Sequence, residues 1–273
     1  MNLELKGKHV VITGASGGIG LELTRQLLSE GAQITACYNT QLRELDALSK
    51  AAPDRLQCIR ADVSYENEVK ALFEAANSKF DRVDIAVANA GIAPLQGLGV
   101  HEMGLEQWES TIRVNLTGAF LTAKYFFRNL EKYPESNASL ILVGSTAGLF
   151  GEAWHCDYST SKAGMHGLLM SLKNEIVHLA ERGRVNLVNP GWTLTSMAVD
   201  IASDPIGMSR VLQTIPMRKI ARPHDIASAI LYLASDAVSG HVSGQTLTVA
   251  GGMEGRVLFT PDEVADQAEQ YRL

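Results

Sequence analysis

Tyr158 and Lys162 stand at the two ends of the segment Tyr158-Ser159-Thr160-Ser161-Lys162. On a helix, residues four apart share a face, so the phenol and the ammonium come together. A phenol has an ordinary pKa of about 10, too high for easy proton exchange near neutrality. A cation held beside it favours the phenolate and lowers that value. Such a pair can protonate an alkoxide or deprotonate an alcohol. The same spacing also suits a solvated helix face, so its meaning depends on the rest of the chain.

A second cluster lies near the start of the chain. Thr13-Gly14-Ala15-Ser16-Gly17-Gly18-Ile19-Gly20 follows a short apolar run and opens an apolar-periodic one. At a strand-to-helix turn, free amides and the helix dipole bind phosphate, and glycines let backbone approach backbone. The spacing differs from the common G-x-G-x-x-G, but its place points to a dinucleotide site. The next strand ends in Cys37-Tyr38-Asn39-Thr40, where NAD-selective sites usually carry an acid for the ribose 2′-hydroxyl. No carboxylate stands there to repel a 2′-phosphate. Asn39 and Thr40 could bond one and Arg43 is the nearest cation, so the reading leans slightly to NADP over NAD.

These groups need elements to hold them. Apolar, β-branched runs predict strands at 8–13, 33–38, 56–60, 83–88, 140–143, 184–188 and 245–249. Helical patterns alternate with them at 19–30, 42–50, 64–79 (Ser64 as N-cap), 105–133, 158–182 and 225–234. Strands without internal alternation, separated by helices, predict a parallel sheet covered on both faces. The expected fold is α/β, a single doubly wound Rossmann-type domain over residues 1–255 with ligands at the carboxyl ends of the strands. Residues 256–273 form a polar, acidic tail, read as a C-terminal helix, a docking arm or a frayed end.

Composition removes other classes. The chain has 273 residues and a formal net charge of −6, which argues against a nucleic-acid partner. No apolar run approaches the roughly 20 residues of a membrane span, and the first residues lack signal-peptide design. Cys37, Cys58 and Cys156 are few and dispersed, which fits a reducing cytoplasm without a disulfide framework. No metal-ligand spacing is found. Cys156 reads as packing or rim, His178 as helix packing and Asp157 as a cap.

Taken in order along the chain, these motifs resemble the short-chain dehydrogenase/reductase family nearly end to end. The turn from Thr13 to Gly20 resembles its cofactor fingerprint. Asp62-Val63 resembles its adenine-contacting pair, and Asn89-Ala90-Gly91 its fourth-strand motif. Asn115, Ser145, Tyr158 and Lys162 match its catalytic tetrad. Pro190-Gly191, with Thr193 and Thr195, resembles the segment beside the nicotinamide, and Val242-Ser243-Gly244-Gln245 with Gly251-Gly252 its final strand region. Ala250 departs from the usual aspartate before the glycine pair, and the tail is longer than is typical.

The resemblance implies hydride transfer between NAD(P) and a carbonyl or secondary alcohol. Tyr158 would be the acid/base. Lys162 would lower the phenol pKa and bind the nicotinamide ribose, Ser145 would stabilise the substrate oxygen, and Asn115 would hold a relay water. The stretch after Gly191 would be a lid. Its apolar residues (Trp192, Leu194, Met197, Ile201, Ile206, Met208, Val211 and Leu212), with Phe150 and Trp154, suggest a substrate with an apolar part, and Arg210 is its main cation. A 3-oxoacyl-thioester reductase is the runner-up, and a polyol substrate stays open. A lyase or epimerase using bound cofactor, or a non-catalytic dinucleotide sensor or scaffold, is the reading from another class. The resemblance also implies a homodimer or homotetramer, with Tyr125, Phe126, Phe127, Met165, Leu168, Leu169 and Leu172 as candidate surface.

Overall fold

The computed structural model describes residues 2–42, 44–94, 97–195 and 205–271. Arg43, Met197 and Ile201 lie outside the described residues. Seven parallel strands form one sheet in the order β3-β2-β1-β4-β5-β6-β7. They are β1 (His9–Ile12), β2 (Gln33–Tyr38), β3 (Leu56–Arg60), β4 (Ile85–Ala88), β5 (Asn137–Val143), β6 (Arg182–Pro190) and β7 (Thr246–Val249). The chain winds outward from β1 to β3, then returns to place β4 on the other side of β1. That reversal opens a crevice at the carboxyl ends of β1 and β4.

Why these segments are strands is visible in β1. Val11 joins one apolar cluster, while Val10 and Ile12 join another across the sheet. Every one of these positions therefore needs an apolar side chain, which gives the continuous run in the sequence. Helices α1 (Gly18–Ser29), α2 (Leu45–Ala51) and α9 (Pro223–Ala234) supply one layer. Helices α3 (Glu66–Phe80), α5 (Gly118–Lys132) and α7 (Cys156–Glu175) supply the other. Shorter helices are α4 (Leu105–Ile112), α6 (Ala147–Phe150), α8 (Pro205–Leu212), α10 (Asp236–Ser239) and α11 (Ala265–Glu269). In the first layer α1 packs beside α9, and Ser235 Oγ, just past the end of α9, donates to the Leu3 carbonyl at 2.6 Å.

Four expectations change. The helix expected to run to residue 182 stops at Glu175 and gives way to a 3-10 turn, Ile176–His178. Ile176 is fully buried there and Gly183 packs against it, so the chain turns under the sheet and Arg182 starts β6. His178 is exposed on that turn rather than packed. Ser64 does not cap α3: Tyr65 is the N-cap, and the Ser64 amide donates to Asp62 Oδ1 at 2.9 Å, an Asx turn. The long helix expected over 105–133 is α4 and α5 joined by a π-turn, Arg113–Thr117, with Asn115 inside it.

The tail folds back onto the domain as far as Tyr271. It makes a 3-10 turn (Asp262–Val264) and α11. Val264 and Ala268 are buried with Met208, Val211, Leu212, Ile215 and Ile220 in a third apolar cluster. Among the described residues, no helix is long and apolar enough to cross a membrane.

Candidate active site

The phosphate turn is shaped by close backbone approach. Gly14 has φ +65°, and a Cβ there would lie 2.8 Å from Ala90 Cα. A Cβ on Gly20 would lie 2.4 Å from the Gly14 carbonyl oxygen. Both positions therefore require glycine, and α1 can begin hard against the strand with its first amides unpaired. The turn is locked to the end of β4. Asn89 Nδ2 donates to the carbonyls of Thr13 and Gly14, each at 3.0 Å. Thr13 Oγ1 accepts from the amides of Asn89 and Ala90, each at 3.1 Å. The sequence places Thr13 at the head of the turn, but its bonds to the end of β4 are not legible there. Thr195 reaches the same turn from the far side, leaving Gly18 no room for a Cβ. This cradle fits a pyrophosphate.

The cavity that begins here has a volume of about 1010 Å³. The expected catalytic and cofactor residues that line it are Gly14, Ser16 to Gly20, Tyr38, Asn39, Asp62, Val63, Asn89, Ala90, Gly91, Ser145, Tyr158, Lys162, Pro190, Gly191, Thr193 and Thr195. Asn115 alone among them stands off it. On the outer wall Asn39 Nδ2 donates to Asp62 Oδ2 at 3.3 Å, and Arg60 Nε donates to the Asn39 carbonyl at 3.0 Å. Arg60 is absent from the residues expected here. Its signal is a cation closing the strand that pairs with β2, opposite Tyr38. The Cys37 thiol beside this wall is buried, and burial pushes its pKa up to about 12.

The expected catalytic groups Ser145, Tyr158 and Lys162 meet beyond the ends of β5 and β6. The Ser145 amide donates to Asn189 Oδ1 at 3.1 Å, and Ser145 Oγ accepts from the Ala147 amide at 3.1 Å. That leaves the Ser145 hydroxyl hydrogen uncommitted beside the Tyr158 phenol, whose pKa a bond from it would lower. Glycine at 148 lets α6 lie on α7, where a Cβ would meet backbone of Lys162 and Ala163 at 2.7 Å. Lys162 Nζ donates to the Val143 carbonyl at 2.9 Å and lies 5.8 Å from the centre of the Tyr158 ring.

The electrostatics differ from expectation. Burial, the largest influence, pushes the Tyr158 pKa up; the Ser145 hydrogen bond lowers it and the Glu152 charge raises it. Lys162 is not among the groups that lower it. Its ammonium bonds a carbonyl under the ring, and burial lowers its own pKa from 10.5 to about 8. Protein groups alone thus favour a protonated phenol near neutrality.

Asn115 is fully buried behind the cavity. Its amide hydrogens go to the Ile92 carbonyl at 2.9 Å and to Ser161 Oγ at 3.0 Å, and its Oδ1 accepts from the Ile92 amide at 2.8 Å. Both side-chain hydrogens of Asn115 are therefore engaged within the protein. These bonds tie the loop after β4 to α7, and the π-turn aims Asn115 there. Asp157 is buried in the first turn of α7 and accepts from Thr111 Oγ1 at 2.8 Å and Gln107 Nε2 at 3.2 Å, which fastens α4 to α7. Cys156 packs its sulfur 3.9 Å from that of Met103.

Opposite the turn, the cavity is lined by Phe150, Glu152, Trp192, Arg210, Val211 and Met253. Leu212 and Met208 do not face it; they are buried in the cluster beneath, and Leu194 packs on that cluster. Trp154 points away: it is 63 % exposed at φ +70°, its carbonyl accepting from the Leu98 amide. Of the candidate oligomer surface, Tyr125, Phe126, Met165 and Leu169 are core, and Phe127, Leu168 and Leu172 pack partly buried against them. The large apolar side chains left exposed on these helices are Phe120 and Met170. Among the described residues, no group of three or more His, Cys, Asp or Glu side chains is placed to hold a metal ion.

A doubly wound parallel sheet with a dinucleotide cradle and a Ser-Tyr-Lys group over one cavity defines a nucleotide-dependent oxidoreductase. Residues 14–254 match the family model described as enoyl-(acyl carrier protein) reductase. The chain is 35% identical over 250 residues to nodulation protein G of Rhizobium meliloti (strain 1021), covering 92% of this chain and 98% of that one. It is 33% identical over 253 residues to a 3-oxoacyl-[acyl-carrier-protein] reductase of Synechocystis, covering 91% and 98%. A crystal structure of a short-chain dehydrogenase/reductase, a glucose/ribitol dehydrogenase from Brucella melitensis, superposes with a TM-score of 0.84 at 29% identity, covering 93% of this chain and 99% of the other. The protein belongs to the short-chain dehydrogenase/reductase family and is an NAD(P)-dependent oxidoreductase.

Proposed function

We propose that the enzyme moves a hydride between NADP and a carbonyl or secondary-alcohol carbon lying against Ser145 and Tyr158. The observation that carries this reading is that Ser145, Tyr158 and Lys162 line one wall of the same cavity, with Lys162 Nζ 5.8 Å from the centre of the Tyr158 ring. The nicotinamide supplies or accepts the hydride when bound; the protein orients the partner and manages the proton. Ser145 bonds the substrate oxygen, and Tyr158 gives a proton to the forming alkoxide or takes it from the alcohol. A phenol raised by burial suits the acid role. Reduction should therefore be flat across neutral pH, and alcohol oxidation should climb as pH rises toward the phenol pKa.

Gly14 to Gly20 with Thr195 would hold the pyrophosphate, Asp62 and Val63 the adenine, and Lys162 the nicotinamide ribose. β2 itself ends without a carboxylate, and Asn39 and Thr40 line the cavity there with Arg60 bonded to the Asn39 carbonyl. These favour a 2′-phosphate, while Asp62, which accepts from the Asn39 side chain, is assigned to the adenine. Phe150, Trp192, Val211 and Met253 favour a substrate with an apolar part. A 3-oxoacyl thioester is the second reading, favoured by the name of the Synechocystis relative. The enzyme acts in the cytoplasm as a homodimer or homotetramer; exposed Phe120 and Met170 support the assembly, and light scattering on the eluted protein would test it.

The test is to titrate NADPH and NADH separately by fluorescence. Reduced-nicotinamide absorbance is then followed with acetoacetyl-CoA, an alkyl 3-oxo ester, cyclohexanone and an aldose. Tighter NADPH binding and turnover of at least one carbonyl are expected. Binding without any turnover would sink the reading.

A further inference from the structure

After β7 the chain could leave the molecule, yet it doubles back over the substrate end of the cavity. Gly251 and Gly252, at φ +61° and +85°, turn it onto Ile215 and Pro216, and the Met217 amide donates to the Gly251 carbonyl at 3.0 Å. Met253 then lines the cavity, and Gly255 passes so close to Phe150 that a Cβ would meet its ring at 3.0 Å. The amides of Leu258 and Phe259 both donate to the Gln213 carbonyl, at 2.7 and 3.2 Å. Arg218 lies over the Phe259 ring, 4.1 Å from its centre.

The return path ends at a latch. Tyr271 packs on the third apolar cluster, and its hydroxyl accepts from the Ile220 amide at 3.1 Å. The next residue, Ala221, pairs with the cavity wall: its amide donates to the Trp192 carbonyl at 3.0 Å, and its carbonyl accepts from the Leu194 amide at 2.9 Å. Val264 and Ala268 fill the underside of α8, the helix that presents Arg210 and Val211 to the cavity. Without the tail, the buried side chains of Met208, Leu212 and Ile220 would be left facing water.

We infer that residues 253–271 are a strap that positions the substrate wall of the cavity, with Tyr271 as its latch. Tyr271 touches neither cofactor site nor reacting groups, so it is a positioning residue. The strap spans from Phe150 at one rim to Trp192 and Leu194 at the other, and so sets how far α8 stands from Ser145 and Tyr158. It rests on the functional reading only in calling that wall the substrate wall.

The experiment compares the full chain with Tyr271→Phe, which keeps the ring and removes the acceptor, and with a truncation after Gly255. Amide hydrogen exchange is read over 205–221 and over β1, β4 and β5, alongside NADPH affinity by fluorescence. KM and kcat are measured for whichever carbonyl of the panel above the full chain reduces. In Tyr271→Phe, exchange at Ile220 and α8 should quicken about tenfold, while the central strands stay protected. The truncation should quicken the same segment further. KM should rise about tenfold, with kcat and NADPH affinity changing less than about twofold. Unchanged exchange over 205–221 overturns the strap. So does equal quickening in β1, β4 and β5, or altered exchange with unchanged KM. If the full chain reduces no carbonyl, the functional reading falls, and the exchange pattern still decides for or against the strap.

Discussion

At the phosphate turn, the chain is held by its own backbone: Gly14 and Gly20 pack against carbonyls and Cα atoms, and Thr13 and Asn89 tie the turn to β4 with four hydrogen bonds of 3.0–3.1 Å. Across the cavity, the wall made by Trp192, Leu194 and α8 is held by side chains. Met208, Leu212 and Ile220 meet Val264 and Ala268 from a segment some fifty residues further along. The first construction tolerates one residue type at its key positions, as a site for one constant cofactor would. The second tolerates any apolar set that fills its volume, which suits a wall that must be retuned for each substrate. Tyr158 and Lys162 stand at the seam between them.

The largest effect should come from that seam. Tyr158→Phe should lower turnover by about 10²–10⁴-fold while NADPH affinity, read by fluorescence, stays unchanged. Retained turnover would remove the phenol from the proton path. Leu212→Ala, in the side-chain-held wall, opens a fully buried site. It should cost about 2–5 kcal/mol, seen as faster exchange in α8 and a raised KM, with the phosphate turn undisturbed.

Lys162→Met should separate stability from catalysis. The folded pKa lies below the unfolded one, lowered by burial from 10.5 to about 8. The stability this contributes is complete above the unfolded value and is lost as pH falls through about 8. At neutral pH the buried ammonium thus costs up to about 3 kcal/mol, at 1.36 kcal/mol per unit. The variant should melt higher than the parent at pH 7 and lose turnover; a lower melting point would show the ammonium to be compensated. Gly20→Ala strikes the backbone-held side. Overpacking of about 1–3 kcal/mol should weaken NADPH binding about 10- to 100-fold and leave α8 exchange alone. A matching change in α8 would mean the two ends are not independent.

The smallest effect lies beneath the turn. His9 is buried in β1, with Nε2 2.9 Å from Thr35 Oγ1, and burial lowers its pKa from 6.5 to about 4. Its stabilising contribution is present above pH 6.5 and is lost as pH falls toward 4. Against His9→Gln, the parent should lose about 1 kcal/mol more between pH 7.5 and 5.5 in urea melts. Parallel curves would refute a buried neutral imidazole.

The same division governs what is legible in the sequence. That the glycine turn, Tyr158 and Lys162 share one cavity can be read, because close backbone approach and a shared helix face demand particular residues at particular spacings. The strands can be read because a sheet covered on both faces leaves only apolar choices. The π-turn at Asn115 cannot, since a widened turn changes hydrogen bonding without changing the apolar period. The end of α7 is misplaced by pattern because Ile176, Val177 and Leu179 continue a helical spacing while the chain is already turning. The tail looks polar because its packing residues, Phe259, Val264, Ala268 and Tyr271, are spread among acids and find their partners far away in sequence.

The bond from Ser235 to the Leu3 carbonyl has a consequence in time rather than in space. It fastens the first residues of the chain to a group made 232 residues later. During synthesis at about 5–20 residues per second, the layer around α1 must wait on the order of ten seconds or more for α9 to cover it. Its apolar face is open to chaperones and to other nascent chains for that time. Yield on expression should therefore respond to translation speed and temperature more than to any change at the cavity.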